Sequence, residues 1–361
     1  MEVSPLEGVI GQDRAIKAFD FGLAVKMKGY NIYMAGPSGT GKTTYARSST
    51  EKLAETEPVP YDWCYVYNFQ NPRSPLALRF EAGQGKQFKE DMAELVQLFK
   101  KELQKAFRTE EYDAQKIALE RSFDEKRDAL MAEMSAVAEQ HDFQVKTTNS
   151  GVFFMPVVDG KAVGEDDYDD LSEEAKDIIE KNSQMVQEKA GSIMRELRDL
   201  DKESKKQMDQ LDYKTGMFAI GHHVNEVQEK YQQYERVISY INDVQEDVLE
   251  NISQFIEEEE EGDEGLASLL PMLSKKPAED VTLKYKVNLI VDHSKSKGAP
   301  VVVTFNPSYN NLVGEVEYDS EFGNLTTDFM KIKSGLFHKA NGGYLIVQAQ
   351  DILSKIGRAH V

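Results

Sequence analysis

Eight residues, Gly36-Pro37-Ser38-Gly39-Thr40-Gly41-Lys42-Thr43, fit the spacing G-x-x-x-x-G-K-[ST]. Glycines at those places let backbone N–H groups turn inward around phosphate oxygens, and a lysine in the seventh place reaches the β- and γ-phosphates. The hydroxyl that follows offers a ligand to Mg²⁺, and a helix opening there points its positive end at the anion. The pattern predicts a nucleotide held by Gly36 through Thr44, with Thr43 on the metal.

Hydrolysis asks for more: a second strand ending in Asp, which holds Mg²⁺, and usually a Glu beside it to polarise the attacking water. Tyr344-Leu345-Ile346-Val347 is the candidate strand, but it ends in Gln348-Ala349-Gln350. An amide lacks the charge a carboxylate brings to the metal, and Ala349 has no basic group. Asp351 lies three residues past the expected place, where a shifted strand end would bring it to the metal. The sequence thus supports nucleotide binding strongly and hydrolysis weakly.

The elements that must hold these groups are legible in outline. Asn31 to Ala35 reads as a short buried strand feeding the loop, and Thr44 to Leu53 as the helix after it. A helix over Gln12 to Lys26 carries Ala15, Ala18, Phe19, Leu23 and Ala24 as its apolar stripe. Trp63 to Tyr67 and Leu76 to Phe80 read as extended pieces flanking an Asn- and Pro-rich loop. From Lys86 the composition turns charged and helical, with Phe88, Met92, Leu95, Phe99, Leu103 and Phe107 at spacings of three and four. Further helical runs cover Asp113–Gln140, Leu171–Asp212 and Val224–Phe255, the last about 45 Å long if unbroken. Residues 151–163 form a hairpin pattern around Asp159-Gly160. Such stripes predict helices packed on one another as an antiparallel arm closed by the hairpin. The acidic run 257–264 reads as a solvated linker. Strands return after Pro277, at Tyr285–Val291, Pro300–Phe305, Leu312–Tyr318 and Tyr344–Val347.

The 361 residues suffice for two or three domains, and the net charge of −20 argues against a surface built for nucleic acid or anionic membrane. Neither a bilayer-length apolar run nor a signal-peptide pattern is present, so the expected setting is the cytoplasm. The single cysteine, Cys64, sits in an apolar run and is expected to be a buried thiol.

Several segments resemble the Lon-related ATP-dependent proteases of the B-like branch. Val9-Ile10-Gly11-Gln12-Asp13-Arg14-Ala15 is similar to that family's N-terminal motif, which implies Ile10, Gly11 and Gln12 against the adenine. The loop Gly36–Thr43 matches its phosphate loop. Phe305-Asn306-Pro307-Ser308-Tyr309-Asn310-Asn311-Leu312-Val313-Gly314 and His338-Lys339-Ala340-Asn341-Gly342-Gly343-Tyr344-Leu345 are similar to family segments. The resemblance implies an α/β fold with a P-loop AAA+ core at 1–85 and 284–355, interrupted by a helical insertion at 86–283. It also implies ATP and Mg as cofactors, protein substrates, a hexameric ring and a Ser-Lys protease domain.

That protease domain and the later AAA+ strands, sensors and lid are not in this sequence, so the expectation is an N-terminal fragment with an incomplete sheet. Ile356-Gly357-Arg358-Ala359-His360-Val361 coincides with one reading frame of a common sequencing adapter, the alternative being an ordinary polar tail. Two other readings stay open. One is a nucleotide-gated clamp or chaperone that barely hydrolyses ATP. The other is a coiled-coil DNA-repair ATPase, which the acidic charge disfavours.

Overall fold

The computed structural model describes residues 12–27, 29–148, 151–158, 160–164, 168, 171–256, 282–321 and 324–355. The expected linker 257–264, the motif residues Ile10 and Gly11, and the tail 356–361 lie outside them. The fold mixes α and β. Its contacts divide it into one unit of residues 1–98, 223–248 and 259–361 and another of 99–222 and 249–258. The first unit therefore takes in residues 86–98 and 223–248, whose charged, helical composition groups them with the insertion in sequence.

In the first unit, α1 (Asp13–Ala24) is followed by α2 (Lys42–Ala54). Strands β1 (Asp62–Val66) and β2 (Leu76–Phe80) pair antiparallel, Cys64 opposite Leu78. Alternation along β1 buries Asp62, Cys64 and Val66 on one face, and on β2 it buries Leu78 and Phe80. Helix α3 (Gln84–Ala106) supplies Phe88, Met92 and Leu95 to the same core. Rings of Phe80 and Phe88 lie 4.9 Å apart, and Tyr231 meets Phe88 edge-on at 5.1 Å.

Asp62 is the buried hub of this unit. Its Oδ2 accepts the backbone N–H groups of Gly83 (2.7 Å) and Gly85 (3.1 Å), and its Oδ1 accepts that of His293 (2.7 Å). Two separate stretches of chain are thereby tied to one carboxyl on β1.

The second unit holds α4 (Glu110–Glu139), capped by Thr109, and most of α5 (Glu173–Lys230). Tyr112 donates to Asp212 (2.7 Å), Arg127 meets Asp201 (2.7 Å), Met134 shares a core cluster with Ala190, and Ala138 shares one with Val186. Each step forward along α4 is a step back along α5, so the two helices pack antiparallel. Strands β3 (Phe143–Thr148), β4 (Gly151–Val158) and β5 (Lys161–Ala162) form a three-stranded sheet in that order, and Val145 and Phe154 lie on the helices. The hairpin pattern at 151–163 thus has a third strand, announced by the alternation of Phe143, Val145 and Thr147.

The helix expected over Val224–Phe255 is not continuous. α5 runs from Glu173 through Lys230, a turn occupies 231–234, and α6 (Glu235–Glu250) and α7 (Ser253–Ile256) follow. The aromatic core explains the break. Tyr231 and Tyr234 both pack on Phe80, Tyr231 donates to Asp91 (2.7 Å), and Tyr234 accepts the N–H of Glu81 (3.2 Å).

Beyond a 3₁₀ turn at Leu283–Tyr285, β6 (Asn288–Val291) pairs with β1, completing the order β2-β1-β6. Strand β7 (Val301–Thr304) leads to α8 (Tyr309–Val313), capped by Ser308. The strand expected over Leu312–Tyr318 is therefore confined to β8 (Gly314–Val316), because the Ser308 cap carries the helix through Val313. Two short antiparallel pairs follow, β9 (Asp319–Glu321) with β10 (Asn324–Thr326), and β11 (Ile332–Ser334) with β8. Helix α9 (Leu336–Lys339), β12 (Tyr344–Val347) and α10 (Ala349–Lys355) end the described chain. β12 pairs parallel with β7, Val347 opposite Thr304.

Candidate functional site

The loop has the backbone its sequence demands. Gly39 and Gly41 take φ of +79° and +76°, the left-handed region that a side chain strains to adopt. Gly41 is the N-cap of α2, so Lys42 and Thr43 open the helix, with Thr43 and Thr44 exposed on its first turn. A Cβ placed on Gly36 would lie 3.8 Å from the Lys42 Cδ and 4.0 Å from the Thr40 Oγ1. Its absence keeps the inside of the loop open.

Lys42 folds over the loop that precedes it. Its Nζ donates to the carbonyls of Gly36 (2.9 Å) and Pro37 (2.5 Å) and approaches the Thr40 Oγ1 (3.4 Å), while Thr40 itself donates to Pro37 (3.0 Å). The ammonium stands at the mouth of the loop, beside the positive end of a thirteen-residue helix. Gly36, Pro37, Ser38, Gly39 and Thr40 are all exposed. The arrangement presents donors and positive charge to solvent, and it fits a phosphate chain.

The stretch before the loop differs from expectation. Asn31-Ile32-Tyr33-Met34-Ala35 is not a strand, and all but Met34 are exposed, Tyr33 at 77%. A strand exists through its hydrogen-bonded neighbours, and this segment has none among the described residues. Met34 is anchored on a cluster of Phe19, Leu23 and Ala46 that also receives Tyr45, Leu53 and Tyr344, and Ile32 lies against Gly22 of α1, where a Cβ would fall 3.1 Å from its Cδ1.

Strands β7 and β12 both begin beside the C-terminal end of α2. The N–H of Ala299 donates to the Ala54 carbonyl (2.9 Å), and Tyr344 packs in the cluster under α2. Both strands therefore start from that end of the helix and run parallel, Val347 opposite Thr304. Glycines make that approach possible: a Cβ on Gly342 would fall 2.6 Å from Pro60, and one on Gly343 2.1 Å from the Pro300 carbonyl. The Gly-Gly pair is thus a packing requirement.

Past Val347 the chain offers Gln348, then Ala349 as the first residue of α10. Asp351 lies in the first turn of that helix, its N–H donating to the Gln348 carbonyl (3.1 Å). The strand end is not shifted, so Asp351 does not occupy the place of a second-strand acid. Gln12 is the exposed N-cap of α1, its carbonyl accepting the N–H of Ile16 (3.0 Å).

Residues that the sequence did not single out tie the site together. Asp20 on α1 accepts hydrogen bonds from Tyr45 (3.1 Å) and Ser49 (3.0 Å) on α2. Burial is the main cause that pushes the Tyr45 phenol above its ordinary range. After the two helices, Lys26 pairs with Glu57, whose carboxylate raises the ammonium's pKa, and Tyr344 joins the pair. No spacing rule would have found these contacts. Elsewhere, burial pushes the Cys64 thiol up to about 12, as a structural cysteine requires. A cleft of about 320 Å³ under α9, between Trp63, Tyr65, Phe337 and His338, includes no residue of the loop.

Two family models match parts of the chain. One, described as LonB-like, AAA domain, covers residues 297–358; the other, described as Lon-like LonC helical domain, covers residues 62–95. The first spans β7, α9, β12 and the Gly-Gly approach; the second spans β1, β2 and the start of α3. No curated protein sequence matches the chain. Among the described residues no helix is long and apolar enough to cross a membrane. The two matches, on a mixed α/β fold, support a Lon-related protein with an AAA+ module.

Proposed function

We propose that this chain is the ATP-binding portion of a Lon-like AAA+ protease, in which nucleotide state governs engagement of protein substrates. Its core is 1–85 with 284–355, and 86–283 is an inserted helical arm. The observation that carries the reading is Lys42, held over the carbonyls of Gly36 and Pro37 at the N-terminus of α2. Carbonyl oxygens are weak substitutes for phosphate oxygens as partners of an ammonium, so an arriving triphosphate draws Lys42 off them.

In this reading the backbone N–H groups of Gly36 to Thr44 hold the phosphates, and Thr43 offers its hydroxyl to Mg²⁺. Bound Mg²⁺ supplies charge neutralisation for phosphoryl transfer. Ile10, Gly11 and Gln12 face the base. A hexameric ring, protein substrates delivered to a Ser-Lys protease domain, and a cytoplasmic setting complete the proposal. Saturating Mg·ATP is expected to raise the thermal midpoint of the chain and to leave that of a Lys42→Ala variant unmoved, because only a binder of the native state stabilises it. An equal rise in both would reject the loop as the site.

A second reading has its own support. Gln348 and Ala349 stand where hydrolysis needs acids, and Asp351 is carried off into α10. A clamp or chaperone that binds ATP, scarcely turns it over and moves its arm on binding fits that strand end.

A further inference from the structure

We propose that Asp20 is a positioning residue that locks the rotation of α1 on α2, so that base and phosphates of one nucleotide meet a single rigid helix pair. The inference rests on the reading of the loop and of Gln12 given above. It comes from where α1 is fastened and where it is not.

Burial along α1 is confined to its C-terminal half, at Phe19, Gly22 and Leu23. Residues 12 to 18 are exposed apart from Ile16, which is half-buried. Apolar packing of Phe19 and Leu23 against Ala46 and Tyr45 holds the helices together but does not fix their rotation. The hydrogen bonds of Tyr45 and Ser49, both landing on Asp20 Oδ1, are directional and do fix it. They lie one and two turns into the helix whose first residue is Lys42. The ring of Tyr45 also meets Phe19 edge-on at 5.7 Å, so one side chain supplies both the packing and the latch.

Among the described residues Asp20 is the last polar fastener before the exposed end of α1. Eight residues separate it from Gln12, about 12 Å of helix. A tilt of about 5° at the latch therefore displaces Gln12 by about 1 Å, which is enough to spoil a positioned contact. The phosphate loop lies on the other helix and is untouched by such a tilt.

The test is a calorimetric titration of the full chain with Mg·ATP and, separately, with Mg-tripolyphosphate, which has the phosphates without the base. Asp20→Ala is expected to weaken ATP binding about tenfold, within the range for loss of two hydrogen bonds to a carboxylate. Tripolyphosphate affinity is expected to stay as in the parent. Asp20→Asn keeps the oxygen that accepts both hydroxyls and is expected to restore ATP binding. Equal weakening of both ligands, no weakening of either, or failure of the Asn variant to rescue would overturn the proposal.

Amide hydrogen exchange in the free protein separates this from the nucleotide reading. Asp20→Ala should speed exchange in the first turns of α1 relative to α2, and Asp20→Asn should not. If α1 loosens as expected but the parent binds neither ligand, the latch stands and the loop assignment fails. If α1 exchanges at the parent rate in Asp20→Ala, the latch itself is refuted.

Discussion

Replacing Asp62 is expected to cost the first unit a large part of its stability. Asp62 is fully buried, and its two oxygens accept three backbone N–H groups, from Gly83, Gly85 and His293. Asp62→Ala orphans all three, two of them in buried surroundings. At about 1–3 kcal/mol for each stranded donor, the expected loss is about 3–9 kcal/mol. Asp62→Asn is a sharper probe. Its one remaining oxygen can serve His293 or the two glycines but not both, and its NH₂ must then face an N–H it cannot accept. A loss of about 1–6 kcal/mol follows from one or two stranded donors. The assay is urea unfolding followed by fluorescence of Trp63, the only tryptophan in the chain and the residue next to Asp62. A local reporter is needed because a chain of two compact units need not unfold in one step. Against a typical total of about 5–15 kcal/mol, losses of this size are easily read. A shift below about 1 kcal/mol in Asp62→Ala would refute the hub.

Three further outcomes follow from the same geometry. Gln348→Asp with Ala349→Glu should raise ATP turnover above the parent's in a phosphate-release assay; no gain would mean that another acid serves the metal. His293, buried and held mainly by that burial below its ordinary value near 6.5, takes up a proton more readily when unfolded. Its contribution to stability is therefore complete above about pH 6.5 and lost as pH falls below it, despite the pull of Asp62 and Asp292 in the other direction. His293→Gln should flatten the fall of the thermal midpoint between about pH 7 and 5, and an unchanged profile would clear His293 of that role. Gly216→Val should destabilise the second unit by about 1–3 kcal/mol in thermal unfolding, because a Cβ there would fall 2.8 Å from Leu249 and 2.9 Å from Ile252.

The sequence was most legible where one local rule decides the outcome. The spacing of Gly36, Gly41 and Lys42 announced the loop, and the apolar run Trp63 to Tyr67 announced β1, because torsion and burial act within a few residues. It was least legible where a distant partner decides. Ile32 and Tyr33 are as strand-like as Val301 and Val302, yet only the latter gain neighbours, from β12. The break at 231–234 comes from Phe80 and Phe88, which lie some 150 residues away in the chain. In the candidate site the phosphate-loop residues were named from sequence, whereas Asp20, Tyr45, Ser49, Glu57 and Tyr344 come together only in the fold. Asp351 shows the same limit from the other side, since its place depends on where β12 stops and α10 starts.

The central claim is that Gly36 to Thr43 hold the phosphates of a nucleotide, with Lys42 as their cation. The most direct measurement is calorimetric titration of Mg·ATP into the full chain and into Lys42→Ala. The account predicts one saturable site in the parent and at least about a hundredfold weaker binding in the variant, equivalent to about 3 kcal/mol. Equal affinity in the two proteins, or no binding to the parent, would contradict it.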